Sequence, residues 1–69
     1  MTEHVYKKLE LVGSSTVSID DAIKTAISRS GESVKNLRWF EVEQIRGEVA
    51  DGAVAHFQVT VKVGFTIEG

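Results

Sequence analysis

From Leu37 to Arg46, polar and apolar positions alternate with the period of a β-strand. Phe40 and Val42 fall on one side, and Trp39, Glu41 and Glu43 on the other. A slip of one residue would exchange the two sets, so burying Phe40 and Val42 in a core places Trp39 on the opposite, charged face. The alternation predicts a strand from Leu37 to about Val49, ending at Ala50-Asp51-Gly52-Ala53. Asp-Gly between alternating runs predicts a tight hairpin, because a type I′ turn needs positive φ at both loop positions. A third strand follows over Ala53 to Ile67. Val59, Val61, Val63, Phe65 and Ile67 lie on its apolar face, and His56, Gln58, Thr60, Lys62 and Thr66 on its polar face.

Upstream, His4 to Val12 alternates well enough for a first strand, with Val5, Leu9 and Leu11 on one face, interrupted by Lys7, and Tyr6, Lys8 and Glu10 on the other. Gly13-Ser14-Ser15 breaks that pattern and reads as a loop leading to a helix. Ser18 is placed to cap the helix, with Asp21 three residues on in place of the Glu of a capping box. Asp20 and Asp21 also sit where the helix dipole favours negative charge. Ile19, Ala22, Ile23, Ala26 and Ile27, continued by Ser30 and Val34, form one stripe at helical spacing; Lys24, Thr25, Ser28, Arg29 and Glu32 fall outside it.

If Asp51 and Gly52 are the loop residues, paired positions follow from the turn. Glu41 faces Lys62, Trp39 faces Gly64, and Ile45 faces Gln58 on the side of Trp39. A bulge would shift these pairs, and Gly47 or Gly64 could mark one. The predicted class is α+β, in the order β-α-β-β, with a three-stranded antiparallel sheet wrapped around one helix. Strands this long, with no proline to guard an edge, invite pairing with other subunits.

Composition sharpens that expectation. The chain has 69 residues, read as one domain over residues 1–69, and a chain of that size buries only about 60% of its unfolded surface. It has no cysteine and two histidines far apart, His4 and His56, which removes disulfides and thiolate sites and argues against a tight metal site. Oligomerisation is the remaining supplement. The net charge of −2 with scattered basic residues argues against a nucleic-acid footprint. No apolar run approaches the ~18 residues of a membrane span, and the N-terminal residues lack the apolar core of a signal peptide. A cytoplasmic protein is expected.

Trp39 and Gln58 are the leading candidate pair. An indole offers a flat stacking surface, and a glutamine amide both donates and accepts, which suits a flat heterocycle with imide-like edges. Packing of Trp39 in a subunit interface, with Gln58 merely solvated, is the competing account. Glu41 and Glu43, about 7 Å apart on one face, have the separation of a glycosidase pair. However, no sugar cleft accompanies them, and Lys62 is placed to neutralise Glu41. His56 has no nucleophile to activate, and Ser14 and Ser15 have neither base nor phosphate loop. Arg46 suits an anionic ligand or an intersubunit ion pair. No catalytic constellation is found, and no enzyme is expected.

Taken in order, Trp39-Phe40-Glu41-Val42, Ile45-Arg46-Gly47, His56-Phe57-Gln58-Val59 and Lys62-Val63-Gly64-Phe65 resemble the bacterial dodecins. Tyr6-Lys7-Lys8, Leu11-Val12-Gly13-Ser14-Ser15 and Asp20 with Ala22-Ile23 extend the resemblance over nearly the whole chain. The resemblance implies a hollow homododecamer that stores or sequesters FMN, riboflavin or FAD without turning it over. Flavin rings would stack between tryptophans matching Trp39, and the glutamine matching Gln58 would bond the ring edge. Arg46 matches an arginine of the family's Ile-Arg-Gly motif, and some members also bind coenzyme A. The alternative is a structural or coenzyme A-binding oligomer with weak flavin affinity. Thr66 departs from the arginine that many bacterial dodecins carry after Val-Gly-Phe, which leaves open the choice among flavins and coenzyme A binding. Ser15-Thr16-Val17-Ser18 departs from the expected proline- and glycine-containing turn.

Overall fold

The computed structural model describes residues 3–67, so the outermost two residues at each end of the expected domain lie outside the described ones. The elements follow the expected order: β1 (Tyr6–Ser15), α1 (Ile19–Ser33), β2 (Leu37–Ala50) and β3 (Ala53–Thr66). The sheet is antiparallel throughout, in the order β1-β3-β2. Asp51 (φ 53°) and Gly52 (φ 75°) adopt the left-handed pair that the Asp-Gly hairpin requires.

Strand β1 starts at Tyr6 rather than His4 and continues through the expected break. Gly13, Ser14 and Ser15 pair with Val59, Gln58 and Phe57. Gly13 is there because the helix passes very close to the sheet. A Cβ at this position would stand 2.9 Å from the Ala26 Cβ and nearer still to the Ala22 carbonyl oxygen.

Ser18 caps α1 as its spacing predicts, its Oγ accepting from the Asp21 N–H at 3.0 Å. The reciprocal half of the capping box is not formed. The Asp21 carboxylate instead accepts from the buried Ser15 hydroxyl at 2.6 Å. Ser15 Oγ in turn accepts from the N–H groups of Val17 (2.9 Å) and Ser18 (3.3 Å). The end of β1 therefore satisfies the donors that open the helix.

The helix stripe packs as its periodicity predicts. Ala22 and Ala26 meet Val59 and Val61 of β3 in the core, with Leu11, Ile19 and Ile23 against them. Coverage stops short of β2. A helix about 10 Å wide spans roughly two strands spaced about 4.8 Å apart, and α1 takes β1 and β3. Phe40 and Val42, expected in the core, consequently remain 49% and 42% exposed on the helix side of the sheet. Ile45 beside them is also exposed.

The β2–β3 register departs from simple alternation at three points; Gly64 faces one of them, the Arg38-Trp39 doublet, whereas Gly47 is regularly paired with Phe57. The pairs shift between Leu37 and Trp39, between Val42 and Gln44, and between Glu48 and Val49. The extra residues are Arg38 and Glu43 on β2 and Ala55 on β3. Leaving the turn, Ala55 offsets the register by one, and Glu43 restores it. The expected pairs Glu41–Lys62 and Trp39–Gly64 therefore stand, whereas Gln58 faces Arg46 rather than Ile45, which faces Val59. Because facing residues share a side, Gln44, Arg46 and Glu48 join Trp39 on the sheet face away from the helix. Ile45 moves to the helix side.

Candidate functional site

The sheet face turned away from the helix is an ordered polar surface, and its rows can be read across β1, β3 and β2. One row carries Lys8, Gly64 and Trp39, and the next Glu10, Lys62 and Glu41. Farther toward the hairpin come Val12, Thr60 and Gln44, then Ser14, Gln58 and Arg46.

The indole of Trp39 is laid across the backbone of Gly64. A Cβ there would stand 2.5 Å from the indole Cη2 and closer to Cε2 and Cζ2, so glycine is what admits the ring. Two further contacts fix it. The Tyr6 ring meets it edge-on, with centroids 5.2 Å apart and planes at 73°, a favourable geometry for an aromatic pair. The indole Nε1–H donates to Glu41 Oε2 at 2.8 Å. Held in this way, the ring is still 37% exposed on a face that no element among the described residues covers.

Glu41 is tied from both sides. Lys8 Nζ lies 3.0 Å from Oε2 and 3.2 Å from Oε1. The indole hydrogen bond first, and Lys8 after it, hold the Glu41 carboxyl below its ordinary 4.5. Lys62 was expected to neutralise Glu41, but its direct partner is Glu43, at 3.2 Å. The bulge at Glu43 turns that carboxylate toward Lys62, leaving Glu41 to Lys8. The two carboxylates thus serve ion pairs and the tryptophan. His56 pairs with Glu48 at 3.2 Å, near the hairpin end.

Of the three predicted site residues, Gln58 and Arg46 stand opposite each other. Trp39 shares their face but not their place. Gln58 is six positions along β3 from Gly64, about 20 Å at the rise of a strand. Within one subunit the stacking platform and the amide are therefore separate. Sequence reasoning passed over Tyr6, Lys8 and Glu41 as supports of the indole, and read Gly64 as a possible bulge marker. The signal available was a glycine within a strand, facing the tryptophan in the very register the hairpin predicts.

The most apolar hollow lies on the other side of the sheet, between Phe40 and the helix residues Ile23 and Ile27, with Asp20, Lys24 and Ser28 at its margin. Among the described residues, no three histidine, aspartate or glutamate side chains gather as a metal site, and no helix is long and apolar enough to cross a membrane.

Comparison with known proteins gives a consistent result. The family model described as Dodecin matches residues 5–68. A dodecin of Thermus thermophilus is 44% identical over 64 residues, 93% of this chain and 93% of that protein. The structure of dodecin from Streptomyces coelicolor superposes with a TM-score of 0.95 at 43% identity, covering 100% of this chain and 99% of that one. Dodecin from Streptomyces davaonensis gives 0.94 at 43% identity, covering 99% and 100%.

Proposed function

The chain belongs to the dodecin family, and from that premise we propose that it binds and stores a flavin, FMN or a close relative, on a site completed by more than one subunit. The observation that carries this reading is the indole of Trp39. A large aromatic ring is laid flat enough to require Gly64 beneath it, is held by Tyr6 and Glu41, and is left 37% exposed on the outward face. Such a ring is a prepared stacking platform. The bound flavin would bring a flat, imide-edged chromophore whose excited state an adjacent indole quenches. The chain's own contribution is to hold the platform still and to present hydrogen-bonding groups.

The separation of Trp39 from Gln58 adds a constraint. About 20 Å along one strand exceeds the length of a three-ring heterocycle, so a flavin that touches both must draw them from different subunits. The fold supports assembly independently. Among the described residues, the buried apolar core of one subunit consists of alanine and valine alone, while Phe40, Val42 and Ile45 form an exposed apolar strip beside the hollow on the helix side. Covering such a strip is what an obligate interface does. A homododecamer is the assembly we propose, in the cytoplasm and with no turnover of its ligand. Arg46, remote from Trp39 in its own subunit, also supports a narrower second reading: a guanidinium available to an anionic ligand such as coenzyme A.

The test is titration of FMN with the purified protein, followed by flavin fluorescence, with Trp39→Ala alongside. Saturable quenching by the native chain, lost in Trp39→Ala while the variant keeps the same oligomeric size, is the expected result. An intact native oligomer that quenches neither FMN nor riboflavin would overturn the storage reading.

A further inference from the structure

Arg38 is one of the three bulged residues of the hairpin, without a partner of its own in the β2–β3 ladder, and a side-chain bond places it. Its Nε–H donates to Thr66 Oγ1 at 2.9 Å. The Thr66 N–H is itself held by the Asn36 carbonyl at 3.1 Å. Thr66 faces Tyr6 across the β1–β3 ladder, and the Tyr6 ring is the one that braces the indole. The guanidinium is thus drawn onto the row of Tyr6 and Thr66, two residues along β3 from the row of Gly64 and Trp39. That is about 7 Å at the rise of a strand.

Tethering through Nε leaves the two terminal nitrogens of the fork, the pair that matches a phosphate bidentately. Among the described residues Arg38 joins no ion pair. The other cations of this face near Trp39 are already engaged, Lys8 by Glu41 and Lys62 by Glu43. Arg46 of the same subunit stands by Gln58, about 20 Å away along the strand; an Arg46 brought in beside the Gln58 of a second subunit is the rival cation that the experiment below separates from Arg38.

We infer that Arg38 is a specificity-determining residue that receives the terminal phosphate of a ligand stacked on Trp39. The chain would then favour a phosphorylated flavin over the same ring carrying only its polyol. The inference rests on the flavin reading above and deepens it. The bulge serves the purpose: by adding one residue between Leu37 and Trp39, it lets Trp39 lie on Gly64 while Arg38 reaches Thr66. Thr66 is a positioning residue in this arrangement, holding the fork without competing for its charge.

The experiment compares dissociation constants for FMN and riboflavin, by flavin quenching, in the native protein, Arg38→Gln, Arg46→Gln and Thr66→Val. The native chain should bind FMN more tightly, by about three- to tenfold, as expected for a partly exposed charge-assisted contact. The preference should collapse toward unity in Arg38→Gln and persist in Arg46→Gln. It should fall partway in Thr66→Val, which keeps the charge and loosens the tether. It should also shrink toward 1 M salt, where the screening length falls to about 3 Å. A native protein with no preference for FMN, or an Arg38→Gln variant that keeps the native ratio, overturns the inference while leaving flavin storage intact. Collapse in Arg46→Gln alone would assign the phosphate to Arg46 and also overturn it. Failure of the native oligomer to bind either flavin would instead remove the storage reading, and this inference with it.

Discussion

Replacing Gly64 with alanine tests whether the indole's resting place matters to binding. The added Cβ would stand 2.5 Å from Cη2 and closer still to Cε2 and Cζ2, where ordinary contact begins at 3.4 Å, so the ring must recede by about 1 Å. The strand beneath is fixed on both sides by β1 and β2, so the ring moves outward, away from the sheet. There it leaves its 2.8 Å bond to Glu41 and its edge contact with Tyr6, and intrudes on the space of a stacked ligand. A misfit of 0.5–1 Å forfeits a quarter to a half of a contact's dispersion energy. For ring stacking worth about 1–3 kcal/mol, that is about 0.25–1.5 kcal/mol, or roughly 1.5- to 13-fold in the dissociation constant. The aromatic pair with Tyr6 contributes a further ~0.5–1.5 kcal/mol to ordering the ring. The fold itself should survive, since alanine limits the unfolded chain more than glycine does. The assay is FMN quenching together with Trp39 emission, on a variant shown by size-exclusion chromatography to assemble normally. Gly64→Ala with native affinity and an unchanged emission maximum would refute the argument, because it would mean the indole does not rest on Gly64 when it binds.

Two further outcomes follow from the same geometry. Gly13→Ala should destabilise the fold by ~1–3 kcal/mol, the usual cost of overpacking, because its Cβ meets the Ala22 backbone and the Ala26 Cβ; thermal unfolding would show this, and a native melting temperature would contradict the close helix–strand approach. Glu41, whose folded carboxyl titrates below 4.5, binds its proton more readily in the unfolded chain. Its contribution is therefore present above pH 4.5 and lost as pH falls through the folded value. Trp39 emission should show an acid transition below pH 4.5 that is absent from Glu41→Gln, and an identical transition in both proteins would mean that Glu41 does not govern the indole.

Element order, the Asp-Gly turn and the helix stripe were legible in the sequence, because each is decided by periodicity or by a local turn rule; the pairs Glu41–Lys62 and Trp39–Gly64 came out as counted from the turn because the offset at Ala55 is cancelled at Glu43. Burial of Phe40 and Val42 was not, since it depends on which two of three strands the helix covers. Strand order sets that, and alternation does not report it. The bulges lay between these cases. On β2 the helix-side positions are Leu37, Phe40, Val42, Ile45 and Gly47, with spacings that alternate between three and two rather than holding at two. The two outward doublets, Arg38-Trp39 and Glu43-Gln44, are the sites where the ladder gains a residue. Strict alternation applied across the Glu43-Gln44 doublet put Ile45 on the face of Trp39, where Arg46 stands instead.

Those same bulges join the fold to the proposed function. The Ala55 offset, held as far as Glu43, sets Arg46 across from Gln58, and the Arg38 bulge lets adjacent residues supply a stacking ring and a cation to one face. In a strictly alternating strand, neighbouring side chains point to opposite sides, and Trp39 and Arg38 could not serve one ligand. The irregular positions are therefore where the sheet departs from the simplest ladder to gather binding groups, a use in keeping with the concentration of bulges at functional sites. The regular positions opposite them, Val59 and Val61 against Ala22 and Ala26, with Val63 buried beside them on the strand, provide the rigid backing. Binding that needs Trp39, Arg38, Gln58 and a second subunit together should therefore be lost with disassembly, even where each subunit keeps its own fold.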